Sequence, residues 1–263
     1  MEIVVYENPG EVRKLIRQGK LKRPTTGLAP GYAQANLVIL HKDLAFDFLL
    51  FCQRNSKPCP LLEVMEAGKY EPVLTAPGAD VRTDIPLYRV YRNGELVSEE
   101  RGITRYWMSE LVTFLLGCSF TFESALEKAG IPLRHINEGK NVAMYITSIE
   151  TEPAGIFSGP MVVSMRPVKV SQVVKAVQVT SRFPQVHGAP IHIGDPEKIG
   201  IRDITRPDYG DTIEIKEDEV PVFWACGVTP QAVALKSRPP LMITHSPGYM
   251  FITDIRDEEL TVI

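Results

Sequence analysis

The stretch Glu219 to Ile255, EVPVFWACGVTPQAVALKSRPPLMITHSPGYMFITDI, decides how the chain is read. Val220 to Ala225 is an apolar run of strand length, and Cys226-Gly227 breaks it. Thr229-Pro230 then has the form of an N-cap followed by proline at the first helical position. Helix formers run from Gln231 to Lys236 until Pro239-Pro240 stops them. Leu241 to Thr244 is a second buried strand, His245-Ser246-Pro247-Gly248 is a turn, and Tyr249 to Thr253 leaves it as a strand. Strand, helix, strand predicts a βαβ unit with parallel strands, and ligands of such sheets gather at the strand carboxyl ends. Cys226 and His245 fall at those ends, with Thr229 and Gln231 opening the helix between them. A thiol, a hydroxyl, an imidazole and a positive helix terminus on one rim form a candidate site. Plain packing, capping and turn formation are the alternative for each residue taken singly.

Outward from that stretch, the 263 residues hold one large α/β domain or two modest ones. Composition is ordinary for a globular chain, 44% hydrophobic and 23% charged. Net charge is -3 with no basic block, which argues against nucleic acid as a partner. No apolar run reaches membrane-span length, and MEIVVYENPG lacks the pattern of a signal peptide. Four cysteines, at 52, 59, 118 and 226, are too few and scattered for a disulfide framework, so a cytoplasmic location is expected. A homo-oligomer is left open.

Towards the N-terminus, Pro9 to Gln18 reads as an amphipathic helix and Leu37 to Leu40 as a buried strand. Asp43 to Gln53 reads as a helix and Pro60 to Val64 as the next strand, a second strand-helix-strand unit. Arg54 and Asn55, at the end of that helix, are candidate carboxylate donors, or simply complements to its dipole. Leu87 to Tyr91, Asn93-Gly94 and Glu95 to Val97 predict a hairpin. Thr104 to Leu116 is expected to be a helix, broken by Gly117-Cys118-Ser119 before another helix. Cys118 and Ser119 therefore sit at a helix N-terminus, as a reactive thiol with a substrate-binding serine or as a buried thiol beside a cap.

From Asn141 onward, short β-type runs and a helix within Val168 to Ser181 suggest a smaller layer. The expected organisation is α/β: a mixed sheet with flanking helices from 1–118 and 206–263, and an inserted α/β subdomain at 119–205. HGAPIHIGDP carries His187, His192 and Asp195; on a strand His192 and Asp195 face opposite ways, so a small anionic ligand fits better than a metal. Arg166, just past a strand end, is a candidate clamp.

The chain resembles the D-glutamate cyclase, or hydro-lyase, family of bacterial proteins. The resemblance rests on APGYAQANLVIL, AFDFLLFCQRN, KPCPLLEV, FLLGCSFTFESAL, GPMVVSMRP, HGAPIHIGDP, VPVFWACGVTPQ and ITHSPGYMFITD, spread over nearly the whole length. It implies an α/β protein that cyclises D-glutamate to 5-oxo-D-proline with loss of water. The chain departs from the family where His41 and Ser56 replace prolines and Tyr249 replaces a histidine, which removes a base beside His245. Ring closure needs a deprotonated amine, a polarised γ-carboxyl and a protonated leaving oxygen. His245 is the expected base or acid, with His187 or His192 and Asp195 as opposite partner. Amides at Thr229 and the guanidinium of Arg166 or Arg54 would hold carboxylate. Cys226 is a nucleophile only if the route passes through a thioester. No cofactor and no metal are expected; a small carboxylate or amino acid is the expected partner. The rival readings are a non-catalytic carboxylate-binding or regulatory protein and a hydratase for another small acid.

Overall fold

A computed structural model describes residues 7–262; the leader reading of residues 1–6 lies outside the described residues. Helix α1 (Pro9–Arg17) starts where Asn8 accepts the Glu11 N–H at 3.0 Å, with proline at its first position. Strand β1 (Tyr32–His41) follows, then α2 (Lys42–Arg54), β2 (Leu61–Val64), the hairpin β3 (Tyr88–Arg92) and β4 (Glu95–Glu100), and β5 (Leu111–Gly117). The expected helix over Thr104 to Leu116 is corrected: only Thr104–Tyr106 forms a 3-10 turn, and LVTFLLG is a strand. The physical reason is burial on both faces, which gives a central strand an unbroken apolar run that mimics a buried helix.

The remaining elements are α3 (Phe120–Lys128), α4 (Arg134–Asn137), β6 (Ala143–Glu150), β7 (Pro160–Lys169), α5 (Val173–Ser181) and β8 (His192–Ile193). Then come β9 (Glu219–Ala225), α6 (Thr229–Ser237), β10 (Met242–His245) and β11 (Phe251–Arg256). The α/β class holds, with two sheets in the orders β2-β5-β1-β10-β3-β4 and β6-β7-β9-β8. Every strand pair among the described residues is antiparallel.

That corrects the βαβ expectation, because β9 lies in the second sheet and β10 in the first. Periodicity locates strands but does not choose their partners. β9 is sandwiched: Val222 and Trp224 pack with Phe122 and Leu126, while Phe223 packs with Ile199 and Ile213. It therefore needs neighbours in a covered sheet, β7 and β8, and α6 carries the chain across to the other sheet. What was read as one rim is the junction between two sheets.

β1 is the spine of the first sheet, with β5 along one edge from Ala35 to His41. Its other edge is served by a broken strand. β10 pairs with Val38 to Leu40, and β11 resumes opposite Ala35 and Gln34, so residues 246–250 loop out between them. One face packs Leu37, Ile39, Leu115 and Ile243; the other packs Val38, Leu40 and Phe114 against Phe48 and Phe51 of α2. Phe48 meets the rings of Phe114 and Phe157 edge-on, at 4.9 and 5.1 Å between centroids. Truncating such a buried ring to alanine costs about 3–5 kcal/mol. Among the described residues no helix is long and apolar enough to cross a membrane.

Candidate active site

The break between β10 and β11 leaves Leu37 without a main-chain partner on that edge, and His245 takes the place. Its Nδ1 accepts the Leu37 N–H at 3.1 Å. An amide N–H only donates, so this bond, shorter than the 3.5 Å from Nδ1 to the Leu37 carbonyl, places the ring proton of neutral His245 on Nε2. That atom is buried and has no hydrogen-bond partner. Burial lowers the His245 pKa to about 4, with Arg89 adding repulsion against the Leu37 contact. The imidazole is therefore neutral at pH 7.

Asn36, next to Leu37, binds two chain reversals together. Its Nδ2 donates to the Gly117 carbonyl at 2.6 Å, at the end of β5. On its other side lies Gly227, where a Cβ would fall 1.9 Å from that nitrogen. Glycine is required at 227 because the asparagine occupies the space a side chain would use. Cys118 follows Gly117 and Cys226 precedes Gly227, so each thiol sits at a strand end just before a nine-residue helix. Both are buried, and burial pushes Cys226 up to about 11 although the Val228 N–H points at its sulfur. Cys118 is raised further by burial, with the nearby Cys226 adding to it. Neither thiol is a thiolate at neutral pH.

His187 reaches the same place from the second sheet's side. It is buried, its Nδ1 lies 2.7 Å from the Lys57 carbonyl, and the Gly117 main chain is also in reach. A carbonyl only accepts, so Nδ1 carries the proton and Nε2 presents a bare lone pair. That Nε2 has no partner either. Burial lowers its pKa to about 4. The residue holds a left-handed φ of 85°, uncommon away from glycine, which sets the ring's direction.

The other expected residues divide sharply. Gln231 ties α6 to the site, donating to the His245 carbonyl at 2.9 Å and accepting from Tyr91 Oη at 3.1 Å. Thr229 bonds inward, donating to the Cys226 carbonyl at 2.7 Å and accepting the Val162 N–H at 3.1 Å. The helix starts at Thr229 and its N-cap is Val228, one residue before the expected cap, so the hydroxyl joins β7 to the Cys226 turn. Arg166 is buried and spent internally: Nε on Glu123 at 3.1 Å, Nη2 on Glu123 at 2.5 Å and on Ser119 Oγ at 3.1 Å, Nη1 on Ser164 Oγ at 3.1 Å. Glu123 also lies 2.9 Å from His135 Nε2. Desolvation would raise the Glu123 pKa, but the contacts with His135 and with the Arg166 guanidinium outweigh it and hold it down.

Four expected residues lie away from the junction. Asn55 ties the end of α2 to Glu152 through bonds of 2.8 Å in both directions, and exposed Arg54 donates to the Pro153 carbonyl. His192 sits on the edge strand β8 with Nε2 on the Asp195 carbonyl at 2.6 Å, and Asp195 itself caps the following turn. Among the described residues no three His, Cys, Asp or Glu side chains are grouped to hold a metal. A surface cleft of about 540 Å³ lined by His41, Leu44, Arg92, Arg105, Met108 and Leu241 lies at the far end of β1 and includes none of the junction residues.

Sequence reasoning missed Asn36, Glu123 and His135. The signal for Asn36 was present: a lone amide in AQANLVIL, inside a run otherwise destined for the core.

The sequence profile of a family described as D-glutamate cyclase matches residues 112–254. The chain is 61% identical over 265 residues to a protein named "Putative hydro-lyase" from Stutzerimonas stutzeri strain A1501, covering 100% of both. It is 65% identical over 261 residues to the like-named protein of Thermoanaerobacter sp. strain X514, covering 98% of both. "Putative hydro-lyase YcsI" of Bacillus subtilis strain 168 is 63% identical over 255 residues, 97% of this chain and 99% of that one. A solved structure titled as a nitrogen repressor-like protein from Methanococcus jannaschii superposes with a TM-score of 0.39 at 9% identity, over 94% of this chain and 98% of that one.

Proposed function

The chain belongs to the D-glutamate cyclase family, and from that premise we propose that it closes D-glutamate into 5-oxo-D-proline at the Asn36–Leu37 junction. The coarser statement is that it is a lyase of a family whose relatives carry the name hydro-lyase. The observation that supports the finer one is the pair of buried neutral histidines with unpartnered Nε2 atoms, one held by Leu37 of β1 and the other beside Gly117 at the end of β5. Leaving a buried polar atom unpaired costs about 1–3 kcal/mol, and such costs gather where a ligand is to be met. Ring closure is a matter of orientation and proton movement, and it takes place in a site lined by groups that are neutral at pH 7.

Proton NMR of the purified protein with D-glutamate, and separately with L-glutamate, each with and without EDTA, tests the reading. Formation of 5-oxoproline from the D isomer, unchanged by EDTA, is the expected result. Conversion of neither isomer, in either direction, would remove the activity from this chain. Saturable binding of glutamate without turnover would assign the junction to a carboxylate-binding protein.

A further inference from the structure

We propose that His187 and His245 are a matched base and hydrogen-bond donor whose roles are fixed by the main-chain atoms that hold their Nδ1 nitrogens. The assignment rests on the cyclisation reading for its substrate, but not for the tautomers themselves. His245 spends its lone pair on the Leu37 N–H, which leaves Nε2–H as a donor. His187 spends its proton on the Lys57 carbonyl, which leaves Nε2 as an acceptor. The two open nitrogens are of opposite kind, in one junction, and both are buried without a partner. The main chains beside the two rings are also close in the fold: Leu37 holds His245, and Gly117 lies in reach of His187. Ala35 lies opposite Gly117, and Leu37 is two residues further along β1. Strand geometry then puts the Leu37 main chain that holds His245 about 8 Å from the Gly117 main chain beside His187.

The chemistry balances without a co-reactant. The ammonium of D-glutamate brings three protons; the lactam nitrogen keeps one and the other two leave with the departing oxygen as water. His187 Nε2 takes a proton from the ammonium, freeing the nitrogen pair that forms the C–N bond to the γ-carbon. It returns that proton to the oxygen whose C–O bond breaks, and it relays the second in the same way. His245 donates Nε2–H to the γ-carboxyl oxygen that stays as the lactam carbonyl. It does not give up that proton, because an imidazolate would result; its part is to hold the oxyanion. The substrate class that fits is an amino acid whose amine and distal carboxyl can meet in a five-membered ring.

Nitrogen NMR of the ¹⁵N-histidine-labelled protein reads the tautomers at pH 7 without any turnover. The expected spectrum has His187 protonated at Nδ1 and His245 at Nε2; the reverse at either residue overturns the assignment. His187→Asn keeps a donor for Lys57 and tolerates the left-handed backbone, and His245→Asn keeps an acceptor for Leu37. Loss of the base should lower kcat by about 10²–10⁴-fold with KM little changed, and loss of the donor by about 10²–10³-fold. Added imidazole should restore part of the turnover of His187→Gly and none of His245→Asn. His187→Asn turning over within about tenfold of wild type, less than a general base contributes, would also overturn the assignment. If wild type leaves D-glutamate unchanged, the cyclisation reading fails, while the tautomer spectrum still decides whether the pair is as described.

Discussion

Two buried polar regions meet at the junction of the sheets, and they are built on opposite plans. In the first, Arg166 on β7 turns its guanidinium nitrogens onto Glu123, Ser119 and Ser164, while Glu123 also faces His135. Phe122 and Trp224 close over the guanidinium at 5.3 and 5.5 Å from their ring centroids. In the second, His187 and His245 each meet main chain through Nδ1 and leave Nε2 without a partner. The first is charged and spoken for, and it joins α3 to the second sheet. The second is neutral and unfinished. Position near a strand end, which drew the sequence reading to Arg166 as a clamp, does not separate these cases; the partners do, an opposite charge in the first and main chain alone in the second.

If the first region is a structural bolt, breaking it should give the largest stability loss. Glu123→Ala leaves the Arg166 charge buried and unpaired, and about 3–5 kcal/mol should be lost in urea unfolding. Replacing Arg166 and Glu123 together with methionine and leucine should recover most of that, since two well-packed apolar residues carry no desolvation cost. A single-mutant loss below about 1 kcal/mol, the scale of an exposed pair, would mean that the network is solvated and the contrast unfounded.

Acid should strain the two regions in different windows. The histidines have folded pKa values of about 4, below the ordinary 6.5. Their burial in neutral form therefore costs nothing extra above pH 6.5. As pH falls from 6.5 towards 4 the unfolded chain takes up protons that the folded chain refuses, and stability drops. The full drop is about 3 kcal/mol for each histidine by the linkage relation. Glu123 is held below its ordinary 4.5, so its contribution is present above that value and is lost only as pH falls further. Unfolding free energies between pH 7 and 4 should therefore flatten in His187→Asn and His245→Asn and keep their slope in Glu123→Gln.

This contrast also marks what was legible in the sequence. Apolar runs and turn residues located α2, the hairpin, β9, α6 and β10 to within a few residues and the second half of β1, whose first half begins already at Tyr32, because local chemistry sets element type. Pairing is not local: nothing in EVPVFWA says that its partners lie in GPMVVSMRP rather than in LMITH. Cys118, Cys226 and His245 were singled out for sitting at breaks between elements, His187 for its motif and Gln231 for opening a helix, and the fold brings them to the junction of the two sheets. Arg54, Asn55, His192 and Asp195 sat at breaks too, and they serve those breaks locally. The open nitrogens depend on what lies across from each ring, and that appears only when the chain is folded.

The asparagine wedge sharpens the comparison at intermediate energy. Asn36→Ala removes the donor to Gly117 and should cost about 1–3 kcal/mol. Gly227→Ala drives a methyl into the Asn36 amide, for a similar cost from overpacking. The double variant should be less damaged than the sum, with a coupling of about 0.5–3 kcal/mol, because the alanine at 36 vacates the space the new methyl needs. Additive losses would mean that Asn36 moves aside freely and does not set the spacing of the two cysteine turns.

The smallest effect should come from the thiols, and it separates ring closure from a covalent route. Cys226 is buried with its pKa pushed to about 11, and Cys118 is raised further, so neither supplies a resting nucleophile at pH 7.5. In the native protein both should resist iodoacetamide and react only after unfolding. Cys226→Ser should keep turnover of D-glutamate within about tenfold of wild type, far short of the 10²–10⁴-fold drop expected for His187→Asn. A thioester route predicts the reverse order: Cys226→Ser inactive, and an acyl adduct on Cys226 that hydroxylamine releases. The order of those two variants therefore decides whether the unfinished histidines or the turns they sit beside carry the reaction.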